Sequence, residues 1–70
     1  MEIVSVRDIE GLAMVGKVRK YWVEKVGKRT NRICVEIDDG STLCTRDLSE
    51  EEVELVKRCL ELYSRVRLVR

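Results

Sequence analysis

The chain has 70 residues, with 14 Lys or Arg, 13 Asp or Glu and no His, for a net charge of +1 at pH 7. That length holds one small domain, residues 1–70, and a hydrophobic content of 44% argues against disorder. No apolar run approaches the roughly 18 residues needed to cross a membrane, and the N-terminus has no signal-peptide layout, so a soluble, cytoplasmic protein is expected.

In chain order, MEIVSV reads as a short first strand. Residues 14–26 are ambiguous. As a strand, one face is Val18, Lys20, Trp22, Glu24 and Val26, and the other is Arg19, Tyr21, Val23 and Lys25. As a helix, Val15, Val18, Trp22 and Val26 share a side, with Gly11 and Gly16 inside at about 1 kcal/mol each. The density of Val, Tyr and Trp favours the strand, and Gly16 then marks a bend or bulge.

The next segment, RICVEI-DDG-STLCT, reads as a hairpin. A two-residue turn would put Glu36 beside Leu43. A three-residue turn, Asp38-Asp39-Gly40, pairs Ile37 with Ser41, Val35 with Leu43 and Cys34 with Cys44, with Gly40 in the left-handed conformation. The three-residue turn is preferred.

Ser49 and Glu52 form a capping box for a helix over about 50–65. Its apolar half is Val53, Leu55, Val56, Cys59, Leu60, Leu62, Tyr63 and Val66. Glu54–Arg58 and Glu61–Arg65 are i,i+4 pairs on its polar side. SRVRLVR alternates and closes the chain as a last strand. The fold class is α+β, mainly β. The expected architecture is a small antiparallel β-barrel or curled sheet covered by one C-terminal amphipathic helix and a short terminal strand.

The neutral total hides segregation. Residues 16–32 carry a net +6, residues 33–54 a net −7 and residues 55–70 a net +4. Lys17, Arg19, Lys20, Tyr21, Lys25, Lys28, Arg29 and Arg32 are the candidate nucleic-acid-binding residues. Phosphates need the cations, and bases need a flat face, for which Tyr21 is preferred. Trp22, the one Trp, is assigned to the core as its largest residue, with base stacking as the alternative. The expected partner is DNA or RNA. The alternative is a protein partner or a homodimer, with the acidic block of one copy meeting the basic block of another.

The order of elements resembles the oligonucleotide/oligosaccharide-binding fold. VRDIEGLAMVGKV would open its first long strand, GKRTN would be a variable loop, IDDGS the tight turn, and SEEEVELVKRCLELY the helix between strands three and four. A fifth strand would come from MEIVSV or a partner chain. A second likeness is to the small SH3-like chromatin proteins of archaea, which join a basic strand with Trp, a hairpin and a C-terminal helix. Both resemblances imply a nucleic-acid-binding module. The dense, balanced charge without Pro also resembles thermophile surfaces.

Cys34 and Cys44 face each other across the hairpin, close enough for a disulfide. Reduced packing is preferred for a cytosolic chain, with the bridge left open. No C-x-x-C, His or EF-hand spacing is present, so no metal or cofactor is expected. Without His, a phosphate loop or a nucleophile elbow, no catalytic residues and no small-molecule substrate are inferred.

Overall fold

The computed structural model describes residues 2–63 and 67–68. The elements are β1 (Glu2–Ile3), α1 (Val6–Met14), β2 (Val18–Lys25), β3 (Thr30–Ile37), β4 (Thr42–Cys44), β5 (Leu48–Ser49), α2 (Glu50–Glu61) and β6 (Arg67–Leu68). The sheet runs β1-β4-β3-β2-β6, with β5 also paired to β3. β2–β3 and β3–β4 are antiparallel, while β1–β4 and β2–β6 are parallel. The sheet is therefore mixed and open, since among the described residues its end strands β1 and β6 do not pair.

Two expectations fail here. The sheet is mixed and is not the antiparallel barrel, though it fits the curled sheet with a C-terminal helix, and residues 6–14 form a helix where the resemblance required a strand. The reason for the helix is local. Asp8 N–H donates to Ser5 Oγ at 3.1 Å, and Ser5 N–H to Asp8 Oδ2 at 3.4 Å, which is a second capping box. Val6, Ile9, Leu12 and Ala13 then share the face toward the core. Gly16 does not bend a strand. At φ 77° it ends the helix. Gly16 N–H donates to the Ala13 carbonyl and Lys17 N–H to the Leu12 carbonyl, satisfying the last turn.

The hairpin matches its expected register. Cys34 stands opposite Cys44 and Val35 opposite Leu43. Ile37 N–H donates to the Ser41 carbonyl at 3.0 Å, and Gly40 sits at φ 89°. The Cys34–Cys44 bridge is formed, with the Cα atoms 4.0 Å apart, so the preference for reduced thiols is corrected. Opposite positions of this antiparallel pair already bring the two Cβ atoms close together.

α2 begins where expected. Glu52 N–H donates to Ser49 Oγ at 3.2 Å and Ser49 N–H to Glu52 Oε1 at 3.1 Å. It ends at Glu61, short of residue 65. Val53, Val56 and Leu60 face the core, but Leu55 is 64% and Leu62 80% exposed, so its apolar face is narrower than the wheel implied. Glu54 pairs with Lys57 at 3.8 Å in place of Arg58. Val66 and the Glu61–Arg65 pair involve residues outside those described.

The core joins Ile9 and Ala13 of α1, Val53, Val56 and Leu60 of α2, and Val18, Tyr21, Ile33 and Val35 of the sheet. Both helices thus cover one face of the sheet. Thr45, the one buried polar residue among those described, accepts from Ile33 N–H and donates to the Arg46 carbonyl. No helix among the described residues is long and apolar enough to cross a membrane.

Candidate nucleic-acid interface

The two adjacent aromatics lie on opposite faces of β2. Tyr21 pairs with Val35, is 1% exposed and belongs to the core. Its ring faces are therefore closed to a base, against the stacking role expected of it. Its hydroxyl reaches Glu61 Oε1 of α2 at 3.4 Å. Burial, and then the Glu61 charge, raise its pKa above the usual value. The unfolded chain loses this proton near pH 10 while the fold still holds it, so stability falls as pH rises above about 10. Thermal melts between pH 9 and 11 should show this loss in the native chain and a smaller one in Tyr21→Phe.

Trp22 pairs with Cys34 on the face that neither helix covers. It is half-buried and stands outside the core cluster, which corrects its assignment as the core's largest residue. The assignment rests on size alone, while pairing with Cys34 sets the face of Trp22, and a β-bulge upstream changes the face of Val18. The register shifts between Val18 and Lys20, so Val18 opposes Ile37 while Lys20 opposes Glu36. Val18 therefore shares the Tyr21 face, and strict alternation assigned it to the wrong one.

Around Trp22 the open face is organised by charge. The indole Nε1–H donates to Glu24 Oε2 at 3.1 Å, and Arg32 Nε–H donates to Glu24 Oε1 at 2.8 Å. These two contacts, the Trp22 bond first, hold the Glu24 carboxyl below its ordinary pKa. One position along, Lys20 pairs with Glu36 at 3.4 Å.

The candidate cations fall into three sets. Lys20 and Arg32 are occupied by the carboxylates just described. Lys17 and Arg19 are exposed at the start of β2, beside the acidic turn, where Asp38 N–H donates to the Lys17 carbonyl. Lys25, Lys28 and Arg29 are exposed at the other end, around the β2–β3 turn. Strand rise separates the two ends by about 25 Å. Among the described residues, none of these five exposed cations has a carboxylate within 4.0 Å.

The β2–β3 turn has an acidic neighbour. Thr30 opposes Ser49, so the first turn of α2, with Glu50, Glu51 and Glu52, starts beside it. As for metal ligation, one group among the described residues brings donor atoms together: Glu24, Cys34 and Cys44. The chain matches no protein-family model, no curated protein and no solved structure.

Proposed function

We propose that the chain is a small, non-catalytic nucleic-acid-binding module whose contact surface is the β2–β3 turn with the adjoining open face. The observation that carries this reading is the cluster of Lys25, Lys28 and Arg29, exposed and without carboxylate partners among the described residues. Phosphates supply the affinity, and the exposed part of Trp22 offers a flat surface to a base. Arg32 contributes less, because Glu24 neutralises it.

The test is oligonucleotide binding across a salt series, followed by Trp22 fluorescence. Three phosphate contacts on a single strand give a log–log salt slope of roughly −2. Replacing Lys25, Lys28 and Arg29 with Ala should bring that slope close to zero, and Arg32→Ala should leave most of it. Glu50→Gln with Glu51→Gln should tighten binding several-fold at low salt, since both acids stand within screening range of the turn. Glu52 is spared because it completes the helix cap. A native slope that survives the triple substitution would remove this reading.

A second reading, a homodimer or protein-interaction module, is favoured by exposed Leu55 of α2 and Leu62 just past its end. Sedimentation at rising concentration separates the two, because self-association through this face is abolished by Leu55→Ser with Leu62→Ser.

A further inference from the structure

We propose that the Cys34–Cys44 bridge masks a site for one thiophilic divalent metal ion, completed by Glu24 and opened by reduction. Three observations meet here. The two cysteines are opposed on β3 and β4 with Cα atoms 4.0 Å apart. The Glu24 carboxylate lies diagonally across β2 and β3 from Cys34, and its ligand atom and both sulfurs lie within 4.8 Å of one another. That carboxylate is also held in place, by the Trp22 indole on one oxygen and Arg32 on the other. Outer contacts of this kind orient a metal ligand.

A small dithiol gives two electrons and two protons to the bridge, which becomes two thiols, and the dithiol becomes its own cyclic disulfide. The divalent ion then displaces both thiol protons and binds two thiolates and the carboxylate. At metal–sulfur distances of about 2.3 Å, tetrahedral geometry sets the sulfurs about 3.8 Å apart. Two thiolates and a carboxylate carry three negative charges, which the ion and the Arg32 guanidinium cancel. Glu24 is 38% exposed in its side chain, so water can take the fourth position and the ion has a route in. Thiolate ligands favour Zn²⁺, Cd²⁺ or Co²⁺ over hard cations such as Mg²⁺.

The test uses the full chain with Cys59→Ser, so that the two bridge cysteines are its only thiols. It is reduced with a dithiol, desalted under nitrogen and titrated with Co²⁺. The expected result is a thiolate-to-cobalt charge-transfer band that saturates at one ion per chain, with no band from the oxidised protein. Glu24→Gln and Trp22→Phe should each weaken binding by about tenfold or more, the second through loss of the carboxylate's orientation. Circular dichroism on the same samples reads the fold. A reduced chain that loses structure and regains it with Co²⁺ supports the site. No band at stoichiometric Co²⁺, folded or not, overturns it. So does an unchanged affinity in Glu24→Gln.

Discussion

Tyr21→Ala is expected to lower the unfolding free energy by about 3–5 kcal/mol, the usual loss for emptying a large aromatic site in a core. Tyr21 is the largest fully buried side chain and reaches α2 from the central strands. A domain of this size has on the order of 4–10 kcal/mol in total, so this one substitution removes a large part of it. Chemical denaturation followed by circular dichroism gives the value. Tyr21→Phe separates the ring from its hydroxyl. The bond to Glu61 is long at 3.4 Å, so its loss should cost less than about 1 kcal/mol. Trp22→Ala, on the open face, should cost less than Tyr21→Ala despite the larger side chain. If the order were reversed, the assignment of the two faces of β2 would be wrong.

Opening the Cys34–Cys44 bridge has the second-largest effect. The bridge spans a sequence separation of 10, and loop-closure entropy assigns such a loop about 2.7 kcal/mol at 25 °C. Paired Cys34→Ser and Cys44→Ser substitutions should therefore lower the unfolding free energy by about 2.7 kcal/mol, with a steeper denaturant slope because the unlinked unfolded chain exposes more surface. Both sulfurs are buried, so the serine hydroxyls add a desolvation cost. The Cys34→Ala, Cys44→Ala pair isolates the loop contribution. A loss well under 1 kcal/mol in the alanine pair would show that the turn and register hold the hairpin without help. That outcome is physically reasonable to test, because Gly40 and the Ile37–Ser41 bond already define the turn.

The features legible from sequence were those specified by neighbouring residues. The Ser49–Glu52 box fixed the start of α2, and the parity of Ile33, Val35 and Leu43 chose the three-residue turn and hence the Cys34–Cys44 pairing. The Ser5–Asp8 box is the same device, yet it was obscured by Gly11 within the helix and by Asp in place of Glu. Gly16 suggests a bend or bulge in a strand, whereas its role is to terminate α1. The face of Val18 is hidden for a different reason. A bulge adds one residue to one strand, and no local preference in VRK announces it. The partial pairing of the basic block was equally hidden, because Glu24 meets Arg32 only across the β2–β3 register.

The parallel edges also determine the order in which the chain can assemble. β2, β3 and β4 are joined by short turns, so their contacts close small loops. β1 must find β4 from Glu2 to Leu43, and β6 must find β2 from Arg67 to Lys20. Each closes a loop of more than 40 residues at a correspondingly larger entropic cost. Each returns only a two-residue ladder for it. The meander is thus the nucleus onto which both ends dock late, and contacts of β1 and β6 should carry transition-state values near zero. The same asymmetry makes the two edges the first parts of the sheet to open under native conditions, while the β2–β3–β4 unit retains its amide protection.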